Sequence, residues 1–575
     1  MSDVEQAADL EREQSEGKGR GLLIALAILC SLAVAVASLR HTGSLAFPID
    51  DGYIYSNYVL SASHGEPFTY NSGELSGGIT GIGWYLLTFI AYLLLAPFHA
   101  FLGPFGPPSF RQAMDISCQA GHLYLAAYLV GAACLAVTAL GVRRLIELSL
   151  PTESGKNRMR QLFAWLLGAV AAADLGLVWG AMSGLESTFA AALVAWAAAT
   201  LIAEGREGRL RWSLLLVALL PLARPDLTAI GAAGVFWLLA RLISSARGPG
   251  SDIRSTAMMV LAYFAALAGG LGAMSFVYYL GWGNPLPSSF YAKVGGLRLG
   301  ARFFSAVREL LLAGRYLPFI AAAAALLGAL VPWLPRRWQI TNYESRNTSD
   351  RSTAHTAWME YRFTSLYLIL GSAAYIVAIL LSLPWFGQED RYLLPIHPLL
   401  IVLCGLLAWR LVGALSVDRV LASRLARPVG ATVVMLLMVL TSYLWATRNY
   451  VVEVRNISDA HIAPAKWIAQ NTPPLSIIAS EPIGAVKLFS GRRTVDLVGL
   501  TTPATLGTYR DWPRAWEALR KAGAGYLLFY PRWFDGGKPP PWAVEEARFS
   551  IPDNRIAGDD LIAVYRLEWP VYDLK

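Results

Sequence analysis

Charged residues are scarce in this 575-residue chain: Asp, Glu, Lys and Arg make up 15% of it, whereas 55% is hydrophobic. The mean hydropathy of +0.44 excludes an ordinary soluble globular protein and is typical of a chain that crosses a membrane many times. The net charge of +8 does not indicate nucleic-acid binding, because the basic residues gather in short stretches between apolar runs. The positive-inside rule already explains such stretches.

Cysteine is rare as well. The chain has four cysteines, all in or near apolar segments, at Cys30, Cys118, Cys134 and Cys404. Because no Cys-x-x-Cys spacing occurs, the pattern argues against disulfides and against a structural zinc site. An internal repeat of solenoid period is also absent from the sequence.

The N-terminus has a polar stretch, residues 1–20, followed by an apolar run at residues 21–39. A cleaved signal peptide is one alternative, since small residues at 33–37 resemble a cleavage site. The run of about 19 residues is close to the ~20 that cross a bilayer as a helix. We therefore predict an uncleaved signal-anchor helix that follows a cytoplasmic tail.

The distribution of Lys and Arg predicts the topology. If the apolar block 79–102 spanned the membrane, the basic cluster from Arg143 to Arg160 would lie outside, against the positive-inside rule. We therefore interpret this block as a re-entrant or interfacial helix on the outer face. Eleven predicted spans remain, at residues 21–39, 121–142, 161–179, 185–203, 212–223, 227–243, 257–280, 315–334, 363–383, 392–412 and 429–447.

This topology divides the chain into a cytoplasmic tail (1–20), a transmembrane domain (21–448, with a first outer loop at 40–120) and an outer domain (449–575). The outer domain has the composition of a small α/β domain. Its β-rich runs are 477–480, 485–489, 494–500, 526–530 and 561–566, and its helical patterns are 460–470 and 512–522. The sequence thus predicts an α-helical polytopic protein of the cytoplasmic (inner) membrane, with its N-terminus inside and its C-terminal domain in the periplasm or extracellular space.

Two adjacent carboxylates, Asp50 and Asp51, follow the first predicted span. Acidic residues at the mouth of a membrane bundle are costly and often mark functional sites, although a solvated loop would also explain an acid pair. Two neighbouring carboxylates repel, which raises the affinity of one of them for a proton. The pair is therefore a candidate for a general base.

Further polar clusters fall on the same outer side. Glu186 opens a predicted helix, where it either caps the helix N-terminus or lines a cavity. Arg224 and Asp226 interrupt the bundle, and either neutralise each other or turn toward a cavity. Lys293 is suited to a phosphate, and Arg391 offers a fork of donors for a phosphate or a carboxylate.

Together these clusters predict an outward-facing cavity with acids, cations and aromatic rings. The outer loop 281–315 adds five basic residues, explained either by an anionic ligand or lipid phosphate or by an amphipathic helix with snorkelling side chains. Such a set suits the transfer of a group from a phosphate-linked lipid. A carboxylate removes the proton of the acceptor hydroxyl, and fixed cations stabilise the charge on the departing phosphate.

The chain resembles the GT-C superfamily of integral-membrane glycosyltransferases that use polyprenyl-phosphate sugars. Within it, the chain is most similar to the bacterial branch of arabinofuranosyltransferases and mannosyltransferase-like enzymes. The matching segments are Asp50-Asp51-Gly52-Tyr53-Ile54-Tyr55, His64-Gly65, 70–74, Ser183-Gly184-Leu185-Glu186, Ala223-Arg224-Pro225-Asp226, 284–293, Arg391-Tyr392-Leu393-Leu394-Pro395, 467–474 and 484–500. Two departures stand out: Gly52 replaces the usual Ala, and the segment 74–78 lacks the second acid of the usual Glu-Arg-Val-Glu-Gly.

The resemblance implies an inverting transfer of a sugar from a polyprenyl-phosphate donor to a hydroxyl of a cell-envelope glycan, glycolipid or protein. Asp51 or Asp50 is the expected base, and the other aspartate would position the acceptor, contact a cation or set the pKa of the first. The expected donor-binding residues are Lys293, Tyr291, Arg224 and Arg391. The expected cavity-lining residues are His64, Glu186, Asp226, Tyr53 and Tyr392. These residues demand no cofactor, and a divalent cation stays an open alternative.

Two other functions fit parts of this pattern. A lipid-linked-sugar transporter or flippase would need acids or inverted repeats spread through the spans, whereas the polar residues here concentrate on one face. A glycan-binding membrane scaffold would place the function in the outer domain. Deletion after Tyr450 would then abolish the function, while aspartate variants would keep it.

Overall fold

The protein is described by a computed structural model for residues 3–102, 119–150, 157–246, 253–293, 350–382, 391–414, 426–509 and 511–570. Long apolar helices form a bundle, and a small α/β domain covers one of its ends. The helices of the bundle and its loops are α1 (Asp3–Thr42), α2 (Asp51–Ser63), α3 (Ile82–Leu102), α4 (Gln119–Ser149), α5 (Asn157–Ala172), α6 (Leu175–Met182), α7 (Ser187–Glu207), α8 (Trp212–Ala223), α9 (Thr228–Ser245), α10 (Ile253–Trp282), α11 (Ser288–Lys293), α12 (Asp350–Ser382), α13 (His397–Ala414) and α14 (Ala426–Arg448).

In the described part, six helices are long and apolar enough to cross a membrane. They are Glu16–Thr42, Gly121–Ser149, Ser187–Glu207, Pro225–Ser245, Ile253–Trp282 and Met359–Ser382. A seventh span is the pair α5 and α6, bent by 48°. The bend occurs because Asp174 begins a new helix, its carboxylate accepting the N–H of Leu177 at 2.8 Å.

The predicted spans follow the observed helices. The span at 315–334 lies outside the described residues, and each of the others coincides with one of the helices above, with the shorter α8 or α13, or with α14, which has 23 residues. The exterior of the bundle exposes large apolar side chains, such as Phe236, Phe276 and Leu280, which are 61–65% exposed. A contiguous surface of this kind is suited to lipid. The chain is therefore a multi-pass membrane protein, as predicted.

The described connections predicted to be outer lie at one end of the bundle, and those predicted to be cytoplasmic lie at the other. The connections predicted to be outer, from α2 to the start of α13, meet at one end around a single cavity. At the opposite end, Glu360 of α12 accepts hydrogen bonds from Arg206 and Arg241 at 3.0 Å each. This sorting matches the alternation of the predicted spans. Which end faces the cytoplasm remains a prediction from the distribution of Lys and Arg.

Helix α3 does not descend through the bundle. Tyr92, near its middle, contacts His122 in the first turn of α4, with ring centroids 6.4 Å apart. The start of α4 lies at the cavity end, where Tyr124 packs on Phe47 with ring centroids 5.0 Å apart. One side of α3 exposes a stripe of leucine and isoleucine, formed by Leu86, Leu87, Ile90, Leu93 and Leu94. These contacts support the interfacial helix predicted from the charge distribution.

The outer domain forms a mixed sheet with flanking helices. Its helices are α15 (Tyr450–Ile457), which continues through a π-helical turn (Ser458–Ile462) into α16 (Ala463–Asn471), then α17 (Gly484–Ser490) and α18 (Trp512–Lys521). Its strands are β3 (Ile477–Ser480), β4 (Arg493–Asp496), β5 (Tyr526–Phe529), β6 (Ala543–Ser550) and β7 (Leu561–Leu567), after the short hairpin β1 (Thr69–Asn71) and β2 (Glu74–Leu75) of the first outer loop. The sheet order is β4-β3-β5-β7-β6, with β4, β3 and β5 parallel.

Two details of the predicted outer domain are wrong. The run 485–489, expected to be β-rich, lies in the helix α17. A short apolar run does not distinguish strand from helix, and the first N–H groups of α17 donate to a residue distant in sequence, Asp50. The run 494–500 contributes only β4 to the sheet, since the chain turns away after Asp496.

Candidate active site

A cavity of about 240 Å³ opens between the end of the bundle and the outer domain. Side chains from several connections line it, including Asp51, Tyr55, Thr80, Glu186, Arg224, Asp226, Ser289, Phe290, Ala378, Arg391, Tyr392 and Leu500. The structure thus brings together six of the residues predicted from the sequence, which are Asp51, Glu186, Arg224, Asp226, Arg391 and Tyr392. Phe290 and Leu500 supply apolar wall.

The two adjacent aspartates point to different parts of the molecule. Helix α2 begins at Asp51, and Asp50 before it already has helical backbone angles. Successive residues of a helix point about 100° apart. Asp51 and Tyr55 consequently face the cavity, whereas Asp50 faces the outer domain.

Asp51 is bound to an arginine. The Arg391 guanidinium donates from Nη1 to Asp51 Oδ2 at 2.8 Å and from Nη2 to the Tyr392 hydroxyl at 3.0 Å. It also lies 4.8 Å from the centre of the Tyr392 ring. The Asp51 side chain remains 33% exposed, whereas the Arg391 side chain is 8% exposed. The carboxylate therefore presents an accessible edge to the cavity while a buried cation holds it.

One hydrogen-bond donor of the Arg391 guanidinium is not used by the described residues. Within the described part of the chain, its buried Nε finds no hydrogen-bond partner. Leaving a buried N–H of a charged group unpaired is costly, and such a group often indicates where a ligand binds. An oxyanion in the cavity would satisfy it.

A second cluster lines the cavity beside Asp51. Arg224 donates from Nη2 to Asp226 Oδ2 at 2.6 Å and from Nη1 to Glu186 Oε1 at 3.4 Å. The two alternatives for Arg224 and Asp226 are therefore both realised, since they pair with each other and also line the cavity. Tyr375 donates to Asp226 at 3.4 Å and to the Tyr392 carbonyl at 2.8 Å, which connects this cluster to Arg391.

Asp50 occupies a saturated site at the domain interface. Its carboxylate accepts the backbone N–H of Gly484 at 2.7 Å and that of Ala485 at 2.9 Å, at the first turn of α17. His461 Nδ1 lies 3.1 Å from Asp50 Oδ1, and His461 Nε2 lies 3.0 Å from the Tyr530 hydroxyl. Because a carboxylate only accepts hydrogen bonds, His461 donates through Nδ1. Its Nε2 then accepts a hydrogen bond from the Tyr530 hydroxyl. Burial raises the pKa of Tyr530 well above its ordinary value, so it remains a donor.

We name this group of Asp50, His461, Tyr530 and the first turn of α17 the interface latch. A Cβ atom at Gly484 would lie 2.3 Å from the Asp50 carbonyl oxygen, so only glycine permits the approach. Asn57, about two turns further along α2 than Asp50, donates to the Gly484 carbonyl at 2.9 Å. Sequence reasoning missed His461, Asn57 and Tyr530. His461 and Asn57 contact partners more than 400 residues away, and Tyr530 belongs to the group only through His461.

The loop after β4 connects the outer domain to the cavity. Asp496 is fully buried, and its carboxylate accepts the N–H groups of Val498 at 2.8 Å and Thr501 at 2.9 Å. Burial raises the pKa of Asp496 to about 6, against the opposing effect of these hydrogen bonds. Leu500 lines the cavity, and its carbonyl accepts the hydroxyl of Ser288 at the start of α11.

Two of the residues predicted to line the cavity lie elsewhere. His64 follows the last residue of α2 and is exposed, because this helix of 13 residues carries it roughly 18 Å along the axis from Asp51. Tyr53 is fully buried and packs on Phe47 and Tyr124, with ring centroids at 5.2 and 5.9 Å. It stands on the side of α2 that faces away from the cavity, one turn from the interface latch.

The predicted donor-binding residues of the α11 segment stand apart from the rest. Tyr291 is 37% exposed and packs against Trp282, with ring centroids 5.8 Å apart. Its neighbour Phe290 lines the cavity instead. Lys293 ends α11, and its side chain lies outside the described residues. Their role in donor binding remains a prediction.

No group of three or more His, Cys, Asp or Glu side chains in the described ranges is arranged to hold a metal ion. Asp51, Glu186 and Asp226 all line the cavity, but each is engaged with an arginine. The divalent cation therefore stays an open alternative without assigned ligands.

At both departures from the pattern of the resembling enzymes, an added Cβ atom would meet close neighbours. A Cβ atom at Gly52 would lie 2.5 Å from the Ser183 carbonyl oxygen, so the start of α2 packs closer to this turn than an alanine allows. A Cβ atom at Gly77 would lie 2.4 Å from Trp282 Nε1. The larger acid of the family pattern does not fit against this indole.

Comparisons with known proteins reach only part of the chain by sequence. Residues 452–567 match the family model described as a domain of unknown function (DUF8728). This segment corresponds to the outer domain. The chain has no significant match among the curated proteins.

Solved structures match over most of the chain. The oligosaccharyltransferase of Archaeoglobus fulgidus, tethered with an acceptor peptide containing the NVT sequon via a disulfide bond, aligns with a TM-score of 0.50 and 12% identity over 94% of this chain and 74% of that chain. ArnT from Cupriavidus metallidurans, bound to undecaprenyl phosphate, aligns with a TM-score of 0.48 and 15% identity over 95% of this chain and 98% of that chain.

The likeness to the oligosaccharyltransferase, at 12% identity, is a likeness of fold. The chain has a GT-C fold with a small α/β outer domain, as the sequence predicts. The arabinofuranosyltransferase-like branch remains a prediction.

Proposed function

We propose that this chain is a polyprenyl-phosphate-sugar-dependent glycosyltransferase that acts at the outer face of the cytoplasmic membrane. The observation that carries the proposal is the pairing of Asp51, whose side chain is 33% exposed, with the buried Arg391. A base beside a cation is what transfer of a sugar away from a phosphate requires. The fold shared with an oligosaccharyltransferase supports the same class of reaction by analogy.

Arg391 is the group that takes the donor phosphate. Arg224 already faces two carboxylates, those of Asp226 and Glu186, so its charge is balanced within the cavity wall. Arg391 faces one carboxylate and keeps its Nε–H without a partner among the described residues. The planar guanidinium presents two parallel donors to a phosphate, which a lysine cannot do. The apolar wall around Phe290 and Leu500 suits the polyprenyl end of the donor.

The contact between Arg391 and Asp51 then becomes a step of the reaction. When the donor phosphate binds Arg391, it competes with Asp51 for the guanidinium and releases the carboxylate toward the acceptor. The acceptor hydroxyl passes its proton to Asp51, and its oxygen forms the bond to the anomeric carbon. The bond from that carbon to the phosphate oxygen breaks, and the electron pair leaves with the polyprenyl phosphate. A single displacement of this kind inverts the anomeric centre.

Asp50 has a positioning role in this proposal. Its oxygens are occupied by Gly484, Ala485 and His461, so it has little capacity to take a proton from an acceptor. It fixes the start of α2 to the outer domain, and Asp51 is the next residue. This assignment replaces the two alternatives for the base with Asp51 alone.

The direct test is transfer of labelled sugar by the purified full-length protein in nanodiscs. Synthetic polyprenyl-phosphate arabinofuranose and polyprenyl-phosphate mannose serve as donors, and a cell-envelope polysaccharide extract serves as acceptor. We expect Asp51→Asn to lower kcat by about 10²–10⁴-fold, the usual contribution of general base catalysis. Asp50→Asn should lower the thermal unfolding temperature, and it should lower kcat less than Asp51→Asn does.

The matched control is Glu545→Gln, which alters an exposed carboxylate on the edge strand β6. Wild-type activity in Asp51→Asn would overturn the assignment of the base. Flux of the lipid-linked sugar across sealed vesicles without transfer to any acceptor would instead support the flippase alternative.

A further inference from the structure

A second cavity lies in the outer domain and is lined by aromatic rings. It measures about 390 Å³ and takes its walls from the loop after β4, from α18 and from the segment that follows β5. Trp512 and Trp533 are half-buried, and each keeps part of its ring accessible. We name this cavity the aromatic groove.

The floor of the aromatic groove is apolar and rigid. Phe529 and Phe534 are 2% and 4% exposed, and their ring centroids lie 5.0 Å apart. Trp512 packs on both rings, with centroids 5.4 Å from Phe529 and 5.6 Å from Phe534. Side chains locked in this way preorganise a binding surface, because little conformational entropy is lost when a ligand binds.

The rim of the aromatic groove is polar. Arg532 donates to Asp559 at 3.2 Å, and its side chain is 76% exposed. Asp535 is exposed and precedes Gly536, whose φ is +68°. Indole rings flanked by hydrogen-bonding groups match a sugar, which has an apolar C–H face and a border of hydroxyls.

One short loop contributes a residue to the aromatic groove and another to the cavity of Asp51. Leu497 lines the aromatic groove, and Leu500 lines the cavity at the bundle. Three residues cannot span more than about 11 Å. The fully buried carboxylate of Asp496 fixes this loop by accepting two of its backbone N–H groups. The wall of the aromatic groove at Leu497 therefore lies within that distance of the cavity wall at Leu500.

We propose that the aromatic groove is a carbohydrate subsite that holds the acceptor glycan behind the hydroxyl that reacts at Asp51. The inference rests on the proposed glycosyltransferase function. It assigns to the outer domain the recognition of acceptor sugars, through stacking on Trp512 and Trp533 and hydrogen bonds to Arg532 and Asp535.

Binding is tested with the full-length protein by fluorescence titration in the absence of donor. The probes are tetrasaccharides of α-arabinofuranan, β-galactofuranan and α-mannan, together with a peptide that carries an Asn-Xaa-Thr sequon. We expect at least one tetrasaccharide to bind, with an affinity that falls about tenfold or more in Trp533→Ala and about threefold in Asp535→Ala. Asp535 is exposed, so its variant does not depend on refolding of the rings.

The matched control is Trp542→Ala, which alters a half-buried ring that packs on Trp516, 4.5 Å away, outside the lining of the aromatic groove. Failure of all three tetrasaccharides to bind, or equal affinity in the wild type and both groove variants, would overturn the inference. Binding of the peptide with the same loss would reassign the groove to peptide.

The two proposals fail in different experiments. Glycan binding that persists in Asp51→Asn, with no transfer by the wild type, contradicts the proposed function alone. Transfer by the wild type, with no binding at the groove, contradicts the subsite alone.

Discussion

Asp50 and Asp51 are neighbours in sequence, but their surroundings differ in one physical respect. Around Asp50 the partners are complete, since two backbone N–H groups and His461 occupy its oxygens. Asp51, in contrast, has a side chain that is 33% exposed, and the Arg391 that binds it keeps an Nε without a partner among the described residues. The first arrangement fixes two domains to each other, and the second leaves capacity for a ligand.

This difference distinguishes a carboxylate that positions other groups from one that can take part in the reaction. A saturated carboxylate gains nothing from a substrate, because any new contact displaces an existing one. A carboxylate in an ion pair with an exposed edge can exchange its partner for a substrate group at little cost. The variants below either break this difference or sharpen it, in order of decreasing effect.

The largest effect is expected for Arg391→Lys. Lysine keeps the positive charge but loses the planar fork that binds Asp51 and then exchanges it for the donor phosphate. We expect kcat/KM to fall by about 10²–10³-fold, the range seen when one preorganised donor is removed from a developing oxyanion, with no change in the exchange of the α17 amides. Steady-state transfer assays and hydrogen exchange measure the two effects.

Arg566→Lys on β7 is the matched control for that variant, because its guanidinium pairs with Glu546 at the surface of the outer domain. Equal kcat/KM in Arg391→Lys and the wild type would show that the fork is not used. The difference between the two aspartate environments would then have no catalytic meaning.

Asp50→Ala is expected to act on the interface instead. It leaves the N–H groups of Gly484 and Ala485 and the ring of His461 without their acceptor in a buried setting, which costs about 3 kcal/mol. We expect faster hydrogen exchange at residues 484–490 and faster proteolysis between α14 and the outer domain. Glu546→Ala, at an exposed ion pair, should change neither.

Part of this arrangement can be predicted from the sequence. The order of the spans, the interfacial position of α3 and the grouping of Glu186, Arg224 and Arg391 near the acid pair follow from charge counting and hydropathy. Those signals are local, or depend only on which side of the membrane a connection lies. In a helical bundle, connections that lie on the same side of the membrane are close to one another. Knowing the side is therefore enough to group their residues.

The rest depends on direction and on distant partners. The sequence does not predict that α2 starts at Asp51, and that start decides which aspartate faces the cavity. Nor does it predict that Asp50 binds the first turn of α17, because the two segments lie more than 400 residues apart. His64 was misplaced for the same reason, since nearness in sequence to Asp51 becomes distance along a helix.

Asp496 extends the comparison to a third carboxylate, which resembles Asp50 in being saturated. Its pKa is raised to about 6 from an ordinary 3.8, chiefly by burial. The folded protein therefore binds this proton more tightly than the unfolded chain does. The stability contributed by the protonated form is full below about pH 4 and is lost as the pH rises through about 6, a change of about 2–3 kcal/mol.

The measurement is pulse proteolysis in urea of the full-length protein across pH 4–7.5. Asp496→Asn should flatten the part of the profile that belongs to this carboxylate, and the difference between variant and wild type removes the effect of all other groups. An identical slope in the variant would contradict the raised pKa.

The smallest effect is expected for Gly52→Ala, which changes the residue that follows both aspartates. The added methyl group meets the Ser183 carbonyl oxygen at 2.5 Å and the Phe47 ring at 2.9 Å, so α2 must shift. Overpacking of this kind costs about 1–3 kcal/mol. Because the interface latch holds Asp50 by several hydrogen bonds in a buried setting, whereas the Asp51 side chain is 33% exposed, the shift should fall mainly on Asp51. We expect kcat to decrease about tenfold, with unchanged hydrogen exchange in α17. Gly272→Ala, where no atom lies within 4 Å of the added methyl, is the control. Faster hydrogen exchange in α17 together with a wild-type kcat would contradict this prediction. It would show that the shift of α2 displaces Asp50 and leaves Asp51 in place.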